Sequence, residues 1–259
     1  MVNKKIIAIA NQNGGVGKTT TAMNLGAALS EAGENVLLVD FDPQGTLTIA
    51  HGFDPDNLSN TIYTALIDHH FNIKEAILET KNGPNLIPAN LDLSAAEVEL
   101  LSELGRETYL KESLKPLRNS YNFILVDCPP SLGLLTINAL VAADAIIIPV
   151  ATQYLRFRGL KLLLETIEKV RDKFNPNLPS PRILPNMFQS HTIHSREVLQ
   201  ELKDTFGPQV FETVIRHTVR LAEAPISGQS ILKYEKASRH AKAYRNLAKE
   251  VKIWLSVNQ

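Results

Sequence analysis

Short apolar runs alternate along the chain with segments whose apolar residues recur at helical spacing. Ile6 to Ala10, Val36 to Val39, Asn85 to Ile87, Phe123 to Val126, Ala145 to Val150, Arg182 to Leu184 and Val210 to Val214 read as strands. Most are almost wholly apolar, as strands covered on both faces are. Helical periods fall between them at Thr19 to Ala32, Ala95 to Leu104, Glu107 to Leu117, Leu135 to Ala142, Gly159 to Phe174, Arg196 to Phe206 and Ala241 to Leu255. This βαβα order predicts an α/β fold with a doubly wound, mostly parallel sheet flanked by helices. Ligand chemistry then belongs outside the carboxyl ends of the strands.

The segment after the first strand reads Asn13-Gly14-Gly15-Val16-Gly17-Lys18-Thr19-Thr20. A glycine turn between a strand and a helix aims backbone N–H groups and the positive end of the helix dipole at an anion, which makes it a phosphate-binding loop. The strict G-x-x-x-x-G-K-[ST] pattern fails because Gln12 stands where the first glycine is needed. A deviant form, K-G-G-x-G-K-[ST], fits everywhere except Asn13. Lys18 is expected to reach the β- and γ-phosphates, Thr19 to supply a hydroxyl to Mg²⁺, and Thr20 to brace the α-phosphate, so the expected cofactors are ATP and Mg²⁺.

Two more strands end in carboxylates. Val39-Asp40-Phe41-Asp42-Pro43-Gln44-Gly45 carries two acids suited to a metal-bound water shell and a hydrolytic water. Ile124-Leu125-Val126-Asp127-Cys128 is a Walker B arrangement that would bring Asp127 near Mg²⁺. Aspartates commonly open turns for structural reasons alone, and it is the P-loop beside them that gives these two loops a chemical reading.

With 259 residues, 44% of them hydrophobic, the chain can bury one substantial core, and a single P-loop ATPase domain over 1–259 is expected. One cysteine, Cys128, allows no internal disulfide and suits a reducing cytosol. No apolar run approaches a membrane span or a signal-peptide core, so a cytoplasmic protein is expected. The zero net charge hides an asymmetry. Residues 1–152 hold 9 Lys+Arg against 17 Asp+Glu and residues 153–259 hold 18 against 10, so the second half is the candidate polyanion surface.

Together these segments resemble the ParA/Soj branch of the ParA/MinD ATPase family over nearly the whole chain. VDFDPQG at 39–45, LVDCPPSLGLLTINAL at 125–140, SREVLQELKDTFG at 195–207, VRLAEAP at 219–225 and AKAYRNLAKEV at 241–251 carry the resemblance beside the loop. It implies an ATP-dependent homodimer that sandwiches two nucleotides, binds DNA non-specifically on the nucleoid, and is released when a ParB-like or McdB-like activator stimulates hydrolysis. By position it implies Lys18 on β/γ-phosphate, Thr19 and Asp127 on Mg²⁺, Asp40 supporting the metal site, Asp42 linked to the attacking water, and Asn186 at the adenine edge. Arg220 resembles a DNA-contacting position. Arg196, Lys236, Arg239, Lys242 and Arg245 are further DNA candidates, with an ordinary solvated surface as the competing reading.

The family lysine at position 13 reaches across the dimer, and Asn13 removes it. Either dimerisation weakens or another cation substitutes, for which Arg156, Arg158 and Lys161 are candidates; equally, these three only extend the basic surface. The absent lysine is also similar to the McdA proteins that space carboxysomes. Ile215-Arg216-His217-Thr218 departs from the family's usual run and leaves DNA geometry open.

Two other readings compete. One is a MinD-like membrane ATPase, prompted by the stripe Tyr244, Leu247, Val251, Trp254 and Leu255; the other is a nucleotide-locked scaffold with little hydrolysis, prompted by Asn13. The first strand starts close to the first residue, so an operator-reading helix-turn-helix is not expected.

Overall fold

The computed structural model describes residues 4–153 and 157–257. Its first half runs β1 (Lys5–Ile9), α1 (Lys18–Glu31), β2 (Val36–Asp40), α2 (Thr46–Ala50), α3 (Ile62–Ile67) and β3 (Asn85–Ile87), then α4 (Leu93–Glu99), α5 (Tyr109–Leu114) and β4 (Phe123–Asp127). The second half continues with α6 (Leu134–Ala142), β5 (Ala145–Ala151), α7 (Phe157–Lys173), β6 (Arg182–Asn186) and α8 (Ile193–Phe206). It closes with α9 (Arg220–Ile226), α10 (Ile231–Tyr234) and α11 (Arg239–Val257). Six parallel strands form one sheet in the order β3-β2-β4-β1-β5-β6, so the expected doubly wound α/β architecture is present.

Alternation along each strand divides the interior into two layers. Ile6 and Ala8 of β1 face one core, which α3 to α7 cover, and Ile7 and Ile9 face the other, which α1 and α11 cover. Tyr244, Leu247, Val251, Trp254 and Leu255 are all buried in that second core. The stripe that prompted a membrane-surface reading is therefore helix-to-sheet packing, and no described helix is long and apolar enough to cross a membrane.

The expected seventh strand, Val210 to Val214, does not form. The segment runs beside β6, with Phe211 N donating to Ile183 O (2.9 Å) and Ile215 N to Pro185 O (2.9 Å). Four residues on one side thus span two on the other. Pro185 has no N–H to continue a ladder, and the Glu250 carboxylate captures the intervening Glu212 and Thr213 amides at 3.0 and 2.9 Å. Helix boundaries also moved. The periods at 95–104 and 107–117 resolve into α4 and α5 with short 3₁₀ turns attached, since Gly105 in a left-handed conformation separates them. Helices α2, α3, α9 and α10, each seven residues or fewer, were not legible as periods.

Phe211 meets Trp254 edge to face, centroids 5.8 Å apart, and the Arg182 guanidinium lies 5.5 Å and 5.6 Å from the two rings. This cluster fastens the end of α11 to the β6 edge. Trp254→Ala should cost about 3–5 kcal/mol. Urea unfolding checks this: the midpoint should fall with the slope unchanged, and a cost below about 1 kcal/mol would refute the fastening role.

Candidate nucleotide site

Strand register brings the chemistry together. In the parallel ladders Asp127 at the end of β4 pairs with Ile9 of β1 on one side and Asp40 of β2 on the other. Phe41 N donates to Asp127 O (3.0 Å) and Cys128 N to Ile9 O (3.2 Å), so the segments leaving the three strands start side by side. The glycine loop follows β1, so the segment after Asp127 leaves the sheet beside it and the segment after Asp40 one strand further out, near enough for Asp42 to bear on Lys18.

Gly17 takes φ +88°, open to glycine but strained for other residues. Space forbids a side chain there too, because a Cβ at Gly17 would lie 2.3 Å from Asn186 Nδ2. Asn186 is buried at the end of β6, its amide donating to Val16 O (2.8 Å) and its oxygen accepting Met187 N (2.8 Å). Asn11, likewise buried, donates to Pro149 O (2.8 Å) and accepts Asn13 N (2.9 Å), tying the loop's entry to β5. Asn13 supplies its carbonyl to the Lys18 ammonium (3.1 Å). Beside the loop a cavity of about 160 Å³ is lined by Gly17, Thr20, Asn186, Met187, Thr218 and Leu221, among others.

The two strand-end carboxylates differ in their surroundings. Asp40 is buried yet satisfied: Thr48 N and Thr48 Oγ1 each donate to Oδ2 at 2.8 Å, and Asp42 N donates to Oδ1 at 3.3 Å. Burial nonetheless raises its pKa to about 7, the Thr48 hydrogen bonds holding the shift back. Asp127 is 1% exposed, and neither carboxylate oxygen has a hydrogen-bond partner among the described residues. Burial, then the charge of Asp40, pushes its pKa well up. The Thr19 hydroxyl and the Lys18 ammonium oppose that shift, although Thr19 closes no full hydrogen bond to it. Burial lowers the Lys18 pKa against the pull of Asp127, Cys128 and Asp42.

A buried carboxylate without a donor is costly unless something cationic meets it. The oxygen donor set of Thr19 and Asp127, with Asp40 held rigidly behind, fits a hard divalent ion such as Mg²⁺, whose charge would reverse the carboxylate shifts. Asp42 is half-buried and accepts Gln44 N (3.0 Å), which fixes the turn that carries it.

An AAA-domain family model matches residues 4–180. The chain is 44% identical to the sporulation initiation inhibitor protein Soj of Bacillus subtilis over 95% of this chain and 98% of that one. It belongs to the ParA/Soj branch of the P-loop ATPases. Cobyrinic acid a,c-diamide synthase from Mycobacterium smegmatis, solved with bound ADP and magnesium, is 39% identical. It superposes with a TM-score of 0.86 over 98% of this chain and 96% of that one. An ATP complex of a McdA variant from Cyanothece is 25% identical with a TM-score of 0.83, covering 96% of both chains. The chain is accordingly an ATPase of the ParA/Soj type that uses ATP and Mg²⁺.

The other expected residues are scattered over the ParA-like fold. Lys161 on α7 is exposed, its ammonium 3.9 Å from Glu165. Arg156 lies outside the described residues, as does the side chain of Arg158. Arg196, Lys236, Arg239 and Lys242 are exposed. Arg220 is exposed and pairs with Glu223 (2.8 Å). Arg245 is committed to Glu31, with its Nη2 at 3.1 Å, and to Lys236 O at 2.8 Å. Sequence reasoning missed Thr48, Asn11 and Asn24. Asn24 is buried in α1, donating to Thr20 O (2.8 Å) and accepting Ile231 N (2.7 Å). Only Asn11, two residues before the glycine loop, had a signal in its position.

Gly17→Ala should destabilise the nucleotide-free protein by about 1–3 kcal/mol, since it meets both backbone strain and the Asn186 amide. Gly14 has no atom within 4 Å of a Cβ, and Gly14→Ala should stay within about 0.5 kcal/mol of the parent. Denaturant unfolding of both variants decides it, and equal costs would remove the Asn186 clamp from the account.

Proposed function

We propose that this chain is a ParA-type switch. Two ATP-bound copies pair face to face, the pair holds DNA without reading its sequence, and an activator of the ParB-like or McdB-like kind releases it by stimulating hydrolysis. The observation that carries the reading is the meeting of a glycine phosphate loop with two acidic strand ends, one of them orphaned and buried. Relatives named as chromosome-partitioning proteins and McdA support a role in segregating DNA, or in positioning cargo such as carboxysomes, on a nucleoid in the cytoplasm.

In this reading the loop amides from Gly14 to Thr20 bind the phosphates. Lys18 leaves the Asn13 carbonyl for the β/γ-phosphates, and Thr19 and Asp127 hold the metal. Mg²⁺ held there would supply charge neutralisation for the phosphates during transfer of the terminal phosphoryl group to water. Asp40, fixed by Thr48, positions the β2 end. Asp42 orients the attacking water. The cavity beside Thr20 and Asn186 takes the adenine. Asn13 brings no charge to the partner's nucleotide, so either pairing is weaker or another cation acts in trans; Arg156, Arg158 and Lys161 are the candidates, and they equally serve to extend the basic surface. DNA phosphates meet the exposed cations Arg196, Arg220, Lys236, Arg239 and Lys242, with Arg245 bracing them.

Asp42→Ala should lower phosphate release by about a hundredfold or more while ATP binding persists, because water positioning is lost and phosphate contacts remain. Single-turnover hydrolysis beside ATP titration measures this; unchanged release would assign the water to another residue. DNA affinity should fall linearly on logarithmic axes as salt rises and vary little with sequence. Fluorescence anisotropy with two unrelated duplexes checks it, and salt-independent affinity would exclude the phosphate-contact mode.

A further inference from the structure

Helix α4 is apolar on two sides. Leu93, Ala96 and Leu100 face the core, whereas Leu91, Val98 and Leu101 are 63%, 70% and 58% exposed, and Leu104 just beyond is 96% exposed. Val98 and Leu101, three positions apart on the helix and on the 3₁₀ turn that continues it, share one outward stripe, and Leu104 follows beyond Glu103, where the backbone becomes extended. Its rim is acidic: Asp92, Glu99 and Glu103 are exposed. The neighbouring cation, Arg106, is already engaged by the Leu101 carbonyl and Glu107. Contiguous apolar surface framed by one sign of charge marks a site of association.

The helix and the residue that leads into it meet the segments following both acidic strand ends. At one end, Leu91 lines a hollow of about 440 Å³ with Pro43 and Gln44, which follow Asp42, and with Ile49. On its inner side, Glu97 Oε1 accepts Leu135 N at 3.4 Å. A Cβ at Gly133 would lie 2.4 Å from that same oxygen, so the segment following Asp127 packs directly on α4. Helix α4 is thus packed against chain segments that follow the residues assigned to water and to metal.

We propose that this stripe is the docking surface of the activating partner, and that the docking segment is an amphipathic helix whose polar face is rich in lysine and arginine. The proposal rests on the partner-released switch described above. Ridges at helical spacing accept a second helix, and the acidic rim selects a basic one. A second copy of this chain is a poor occupant: a twofold contact through the stripe would set Asp92, Glu99 and Glu103 against their own counterparts.

The test uses the full chain in its own cells with p-benzoylphenylalanine installed at Val98, and a control at Ile226, which is 87% exposed on α9. After irradiation, mass spectrometry should identify a segment of a different polypeptide, basic and with apolar residues at helical spacing, cross-linked at position 98 and absent from the control. A synthetic peptide of that segment should then raise phosphate release by the unmodified protein. Val98→Lys combined with Leu101→Lys should weaken the peptide's half-maximal concentration by about tenfold or more, through like-charge repulsion and lost apolar contact, while leaving basal hydrolysis unchanged. Cross-links joining only two copies of this chain, an acidic segment, no product, or equal stimulation of the double variant would each overturn the docking proposal. Basal hydrolysis and salt-dependent DNA binding are measured on the same unmodified protein. Their absence would count against the proposed function, while the cross-link would still report on the surface.

Discussion

The site depends on the register of three parallel strands. Asp127 sits opposite Ile9 on one side and Asp40 on the other, so the ends of β1, β2 and β4 emerge at one level. A shift of one residue in any of these ladders would turn the end carboxylate to the opposite face of the sheet and bury an apolar residue in its place. Apolar alternation prevents that slip. Ile6 and Ala8 must enter one core and Ile7 and Ile9 the other, and the two layers of helices hold both faces. The packing that stabilises the fold is thus the device that aligns its chemistry.

Alignment brings two carboxylates and an ammonium group into a nearly dry region, and each has a different remedy. Asp40 takes three hydrogen bonds and serves as a fixed part of the frame. Lys18 rests on the Asn13 carbonyl, a weak neutral partner that a phosphate can displace. Asp127 has no donor among the described residues, which leaves its lone pairs available to a cation. A buried polar group kept without a partner is a cost to folding, and proteins retain such costs where a ligand removes them. Asn186 and Asn11 hold the loop's backbone from β6 and β5, so the phosphate-binding conformation is built before any nucleotide arrives.

Much of this was legible in the sequence because it is written in local pattern. Glycines at fixed offsets, a lysine and threonines at a helix start, and acids closing apolar runs located the three loops. The sheet followed from runs too apolar for one-sided burial. What escaped reading depends on contacts between distant segments. Val210 to Val214 has strand composition, yet Glu250 from α11 takes its amides and Pro185 denies it a donor. The stripe on α11 resembles a membrane face until Phe211 and Trp254 are seen together. Thr48 sits in a helix of five residues, too short to show a period, and its partnership with Asp40 exists only once β2 and α2 are folded. The exposed side of α4 is hidden for the opposite reason: in sequence it adds to the apolar count of an ordinary core helix.

The central claim is that Asp127, orphaned and buried beside Thr19 and Lys18, completes the metal site of the nucleotide complex. Calorimetric titration of ADP into the protein with and without Mg²⁺, repeated on Asp127→Asn, measures this most directly. The account predicts that the metal tightens nucleotide binding to the parent, and that the variant keeps the metal-free affinity while losing most of that gain. An undiminished Mg²⁺ gain in Asp127→Asn would contradict it.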